Sequence, residues 1–268
     1  MRTYICIYVC ILLICAACYG ATSAVQPLFD HTTIVLHRSN PSDHLRIFNN
    51  ETFPVRWVTQ VVRWYMDEDG RDILNDTDDI VVSPKYIDIA PNGSAIILIR
   101  PSILIAEDTE NAYRLLLKAD PIKQKDNIYA TFTHSLPIFV NARQNSSSVN
   151  VELIQENRGK ILLSIANKGA THEFIEEISL SATDRQRSKL FNITEPGWYI
   201  LSNHIRRYTV SVESNYCVKV AHLDVELRLH NSSHVTMTQS LQLSCDYSIN
   251  ETKFDRVGSH VSPASQGK

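Results

Sequence analysis

Glycine is scarce in this chain, with eight in 268 residues, and none falls in a G-x-x-x-x-G-K-S/T phosphate cradle or a G-x-G-x-x-G dinucleotide turn. No G-x-S-x-G elbow is present, so an α/β-hydrolase nucleophile is unsupported. Of six cysteines, Cys6, Cys10, Cys15 and Cys18 lie in the first 24 residues, and only Cys217 and Cys245 follow. Such a pair lacks the closely spaced partners of a zinc site and, in an exported chain, reads as one disulfide. His172-Glu173-Phe174-Ile175-Glu176 begins like a zincin helix, but a carboxylate stands where the second histidine must be. The formal net charge of −3 comes with no polybasic run, which argues against nucleic acid as a partner. Beyond the N-terminus no apolar run is long enough to cross a membrane. No catalytic residue, bound metal, ATP or other cofactor is expected.

What is present starts with a targeting signal. Met1 and Arg2 precede the apolar run IYVCILLICAACY and the small residues GATSA, so residues 1–24 read as a signal peptide cut after Ala24. An uncleaved anchor is the alternative, although the run is short for a span, and Cys15 stands where a lipid-attachment signal at Cys18 would want leucine. Seven N-x-S/T sequons (Asn50, Asn75, Asn92, Asn145, Asn192, Asn231, Asn250) would carry glycans in a eukaryotic secreted protein. They equally fit an exported bacterial protein rich in Asn, Ser and Thr.

The rest of the chain is a succession of short β-type runs. Residues 32–36, 44–48, 55–65, 80–89, 95–105, 112–118 and 128–140 alternate with turn chemistry such as Ser39-Asn40-Pro41, Pro91-Asn92-Gly93 and Ala119-Asp120-Pro121. Asp67-Glu68-Asp69, followed by Gly70-Arg71-Asp72, reads as a solvated hairpin turn, with calcium binding the lesser alternative. The polar stretch 141–150 reads as a linker, after which the rhythm resumes at 149–154, 160–166, 174–181, 198–201, 208–212, 218–229 and 240–245. The pattern predicts an all-β protein of two β-sandwich domains, 25–142 and 149–248, the second closed by Cys217 and Cys245, with 249–268 a polar tail.

The stretch 128–140, IYATFTHSLPIFV, is the centre of this reading. Ile128, Ala130 and Phe132 alternate with Tyr129, Thr131 and Thr133, and Pro137 then interrupts a continuous apolar run. A proline cannot serve a central ladder, so the segment reads as an edge strand. It holds no Lys or Arg to discourage pairing, so a partner or the domain's own core must cover it. Arg114 and Lys118 share a face of the preceding strand, opposite Leu115 and Leu117, and Arg100 ends the run AIILIR. Each is either an exposed surface charge or the holder of an anionic group beside the edge.

Taken in order, several pieces resemble the periplasmic chaperones of bacterial chaperone–usher pili. They are Asn49 in IFNN, Phe53-Pro54, Arg63-Trp64, Gly70, Asp79-Ile80, Ser83-Pro84, Ala90-Pro91, Asp108, Ala112-Tyr113-Arg114-Leu115 and Leu136-Pro137-Ile138-Phe139-Val140. In the second half, Asn167-Lys168-Gly169 with His172, and Pro196-Gly197-Trp198-Tyr199, continue the series. The resemblance implies two immunoglobulin-like sandwiches set in an L, and binding of pilus subunits that lack a final strand by loan of the edge strand. Ile128, Ala130 and Phe132 would fill the subunit's cleft, with His134 and Leu136 continuing that face. Subunits would pass to an outer-membrane usher, and self-association through the same edge is a further possibility. Family members anchor the subunit's terminal carboxylate with an Arg and a Lys, at places that look like Thr33 and Pro137 here. That departure resembles the archaic or alternative branch and moves the expected anchor to Arg100 and Arg114, with Lys118 behind them. The other reading is a secreted two-domain immunoglobulin-like adhesion or receptor module.

Overall fold

The computed structural model describes residues 27–37, 39–102, 108–121, 133–141, 146, 148–156, 159–230, 233–245, 249 and 251–257. The expected signal peptide and Ile128, Ala130 and Phe132 lie outside them. The first sandwich contains β1 (Leu28–Phe29), β2 (Ile34–Leu36), β3 (Asp43–Phe48), β4 (Val55–Met66), β5 (Asp72–Asp76), β6 (Ile80–Ser83), β7 (Tyr86–Ile89), β8 (Ser94–Pro101), β9 (Asn111–Pro121) and β10 (Thr133–Val140). One sheet has the order β1-β3-β8-β6 and the other β2-β10-β9-β4-β5, with β7 also on β4. Between them lie Leu45, Ile97, Trp57, Leu115, Leu117 and Ile138, all essentially without solvent contact. The second sandwich contains β11 (Val149–Gln155), β12 (Lys160–Asn167), β13 (Glu173–Thr183), β14 (Lys189–Pro196), β15 (Tyr199–Ile200), β16 (His204–Ser211), a one-turn helix α1 (Ser214–Cys217), β17 (His222–Leu229), β18 (His234–Ser240) and β19 (Lys253–Arg256). Its sheets are β11-β12-β16-β19 and β14-β13-β17-β18, with β15 on β13. The fold is all-β, two immunoglobulin-like sandwiches in sequence.

Strand β4 shows how the sequence builds both a core and a domain interface. Val55, Trp57, Thr59 and Val61 point into the first sandwich at the two-residue period. Val62 is buried as well, and from there the buried set is Val62, Trp64 and Met66, on the opposite face. The phase changes because the end of the strand leaves its own core and meets the second domain, where Trp64, Met66, Ala112, Phe139 and Leu201 form a separate apolar cluster with Tyr199 beside it.

Two buried asparagines satisfy backbone groups that the strands leave over. Asn49 donates to the carbonyls of Phe53, Ile89 and Ala90. Asn167 donates to the carbonyls of Thr171 and Ile200 and accepts from the N–H of Gly169. Unpaired buried carbonyls are costly, so a compact amide at a strand end is the natural choice. Cys217 and Cys245 form the disulfide.

Several element boundaries differ from expectation. The run at 80–89 is two strands in different sheets, divided at the cis Ser83–Pro84 bond. The acidic segment at 67–69 is a turn in which the Asp67 carboxylate accepts from the N–H groups of Asp69 and Arg71, and β5 follows it. Strand β14 had no expected counterpart, and the expected strand at 240–245 is instead β18 at His234–Ser240. The supposed polar tail contains β19, which pairs with β16 from Arg256 opposite Tyr208 to Lys253 opposite Ser211. Ser146 and Ser148, in the expected linker, are bonded to the second domain at Thr171 and Lys168.

Candidate functional site

Pro137 divides β10 into two environments. Throughout, β10 pairs antiparallel with β9, from Thr133 opposite Lys118 to Val140 opposite Asn111. On its other side β2 runs parallel to it only along Ile138, Phe139 and Val140. Proline has no N–H to give to a second ladder, and pairing with β2 begins at the residue after it. Among the described residues no strand therefore lies on the outer side of Thr133, Ser135 or Leu136, whereas the rest of β10 is internal. The edge-strand expectation holds for the first half of the strand and is corrected for the second, which β2 covers.

Side chains follow the strand period. His134, Leu136, Ile138 and Val140 face the sandwich interior, while Thr133 and Ser135 on the other face are exposed. Leu136 is 7 % exposed and packs in the domain's own core, so it is not free to project into a partner. His134 is half-buried, its ring centre 5.9 Å from those of both Phe29 and Trp57. Phe139, facing the second domain, is stacked on His172 at 3.5 Å and 8°. His172 Nδ1 lies 2.6 Å from Glu110 Oε1, which also accepts the His172 N–H.

Directly across from Pro137 on β9 is Arg114. Because Tyr113, Leu115 and Leu117 occupy the core face, Arg114 emerges on the face that the second domain covers, and it is only 6 % exposed. Its guanidinium carbon lies 3.6 Å from the ring centre of Trp64, 5.5 Å from Trp198 and 5.6 Å from Tyr199. Aromatic faces attract a cation but leave its N–H groups without acceptors. Among the described residues no hydrogen bond or ion pair reaches this guanidinium, and its nitrogens keep some contact with solvent. Trp198 Nε1 beside it is an enclosed donor without an acceptor among the described residues. Burial lowers the Arg114 pKa to about 10, against the opposing charge of Asp72.

Asp72 is the carboxylate that shares this cleft, and it is already engaged. Its Oδ1 accepts from Arg206 Nη2 at 2.8 Å and from Trp64 Nε1 at 3.1 Å, and its Oδ2 from Arg256 Nη2 at 2.7 Å. Burial pushes the Asp72 carboxyl up, but the charge and hydrogen bond of Arg206, the Trp64 indole and the charge of Arg256 together hold it below the usual carboxylate range. Arg206 is fully buried and also donates to the carbonyls of Tyr199 and Gly70. Three guanidinium groups thus face one carboxylate.

The other expected anchor residues are dispersed. Lys118 is exposed on the Arg114 face, opposite Thr133. Arg100 is on β8 in the opposite sheet, exposed and reaching its neighbour's Pro101 carbonyl, so the fold does not bring it to Arg114. Thr33 stands at the cleft, its hydroxyl 3.5 Å from that of Tyr199. Sequence reasoning assigned no role to Arg206 or Arg256, and to Asp72 only a place in the lesser calcium-binding alternative. Trp64, Trp198 and Tyr199 were visible as motif pieces without a stated purpose. The Gly197 that precedes the last two is required by packing, since a Cβ there would meet the Ile175 carbonyl oxygen at 2.2 Å.

No protein-family model matches the chain, and no curated protein matches it either. Solved structures do. The CupB2 chaperone of Pseudomonas aeruginosa is similar at a TM-score of 0.51 and 14 % identity, over 80 % of this chain and 100 % of that one. The E. coli chaperone DraB gives 0.51 and 14 %, over 82 % and 98 %. A chain of the complex between the SafA pilin and the SafB chaperone of Salmonella enterica gives 0.52 and 10 %, over 82 % and 99 %. At such identities the likeness establishes a shared two-sandwich fold.

Proposed function

We propose that this chain is a periplasmic, ATP-independent assembly chaperone that binds pilus subunits lacking a final strand, by donor-strand complementation, and delivers them to an outer-membrane usher. The observation that carries the reading is the first half of β10: β2 reaches only residues 138–140, no other described strand lies on the outer side of Thr133, Ser135 or Leu136, and the segment continues from Ile128, Ala130 and Phe132 in sequence. An exposed edge can be extended by an incoming strand, with main-chain bonds giving affinity and alternate side chains filling a cleft. By the strand period, Ile128, Ala130 and Phe132 share the parity of His134 and Leu136. Leu136 already belongs to the chaperone's core, so the three residues before His134 supply the apolar contribution, each large side chain being worth ~1.5–3 kcal/mol. Arg114 lies opposite Pro137, and among the described residues its guanidinium meets aromatic rings but no hydrogen-bond acceptor, which suits it to hold the subunit's terminal carboxylate, with Lys118 further along the same face. Solved chains of this fold are named as chaperones, and one of those structures is a complex with a pilin.

The test is co-expression of the mature chain with exported proteins encoded beside it, followed by pull-down of the parent and of Phe132→Asp. A buried unpaired charge is too costly for an apolar cleft to accept. A small exported partner should be retained by the parent and lost by the variant, while circular dichroism shows both folded. Equal capture by both, or no partner at all, would overturn the reading and favour the adhesion module.

A further inference from the structure

The cleft poses a question that a binding role for Arg114 alone does not answer: why does a carboxylate in the same cleft not neutralise it? Asp72 exerts the largest favourable charge effect on Arg114, yet no ion pair joins them. Its two oxygens instead receive Arg206, Trp64 and Arg256. Arg206 is held in place by two backbone carbonyls besides, so it has little freedom to leave. Arg256 is different. It sits on β19, is partly exposed, and among the described residues its side chain has one hydrogen-bond acceptor, Asp72 Oδ2.

We infer that Arg256 is a positioning residue: by occupying Asp72 Oδ2 it prevents Asp72 from pairing with Arg114 and so keeps the Arg114 guanidinium available to an external carboxylate. The idea rests on the reading of Arg114 as an anion anchor, and it adds the regulation of that anchor by the C-terminal strand. In the absence of the Arg256 bond, Arg114 is the described cation that feels the charge of Asp72 and has no hydrogen-bond acceptor of its own. The Trp64 indole, packed on Arg114 and bonded to Asp72, links the two groups. An internal pair of this kind competes with a ligand carboxylate for the same donors, and one charge-assisted hydrogen bond is enough to weaken binding by about tenfold or more.

The probe is acetate, with acetamide as its uncharged counterpart, followed at the Arg114 Nε–H resonance in nitrogen-15 spectra of the mature full chain. Arg114→Lys identifies that resonance. In the parent it should shift on adding acetate and ignore acetamide. In Arg256→Gln it should be displaced before any acetate is added, and its response should be about tenfold weaker or more. Arg256→Lys, which restores a cation for Asp72, should recover the parent's behaviour, a rescue that a merely structural loss of packing would not give. The inference is overturned if Arg114 in the parent ignores acetate, or if Arg256→Gln keeps the parent's resonance and response. The test needs no subunit. A parent that binds acetate at Arg114 but captures no subunit keeps the inference and removes the chaperone reading, while capture of a subunit with Arg114 silent to acetate does the reverse.

Discussion

Arg206 has no solvent contact, and Asp72 is what makes that position tolerable for a guanidinium. A buried ion pair contributes little relative to an apolar pair, but removing one partner strands the other, at ~3–5 kcal/mol. Asp72→Asn should therefore lower stability by an amount of that order at neutral pH. The Asp72 carboxyl titrates below its unfolded value, so its contribution is present above the unfolded pKa of ~3.9 and is lost as pH falls through the lower folded value. Urea unfolding of parent and variant should differ by a constant amount above about pH 5 and converge in stronger acid. A gap that persists unchanged into strong acid would mean the carboxylate charge is not what holds Arg206. At this scale the sequence revealed that Arg114 and Lys118 share a face, because the two-residue period fixes it. It could not reveal that Arg114 is closed over while Lys118 stays exposed, since that depends on where a second domain, remote in sequence, comes to rest.

The element that most changes the account is the turn between β4 and β5. Asp67-Glu68-Asp69-Gly70 reads in sequence as a solvated hairpin, and its backbone is one, with the Gly70 N–H bonded to the Asp67 carbonyl. Glu68 and Asp69 are exposed, but Gly70 at the end of the turn is buried. Gly70 adopts φ of +80°, and a Cβ there would lie 2.6 Å from the Ile205 carbonyl oxygen and 2.8 Å from Arg206 Cα, on β16 of the other domain. Left-handed backbone and close approach both require glycine. Gly70→Ala should cost about 1–3 kcal/mol by strain and by forcing the two backbones apart. It should also broaden the Arg206 side-chain resonances in nitrogen-15 spectra. A variant with the parent's melting temperature would show that the approach is looser than described. β10 was legible as a strand with a special proline, because alternation and Pro137 are local signals. Its cover by β2 was not, because parallel pairing between residues about a hundred positions apart leaves no local trace. β19 went unseen for a similar reason: Lys253–Arg256 is too short and polar to announce a strand, yet Phe254 packs on Tyr208 at 5.1 Å and Arg256 reaches Asp72.

Across the whole molecule, the joint between the sandwiches and the open edge belong to one arrangement. β10 ends at the joint, where Phe139 stacks on His172 and packs with Trp64 and Tyr199, and it begins at the free edge. The second domain thereby fixes the strand at one end and covers Arg114 beside it, while β2 reaches no further back along the strand than Ile138. Two sandwiches and the disulfide could both be read, from strand rhythm and a cysteine pair. The joint could not, because its residues come from β4, β5, β9, β10, β15, β16 and β19 and share no spacing. The central claim is that the outer side of β10 over residues 133–137 is where a partner strand adds. Amide hydrogen exchange, measured on the free chain and on the complex with a co-purified subunit, tests it most directly. The account predicts that within Thr133, Ser135 and Leu136 the amides not bonded to β9 exchange rapidly in the free chain and become strongly protected in the complex. Exchange rates there that stay the same on binding, with protection appearing on another edge such as β5 or β14, would contradict it.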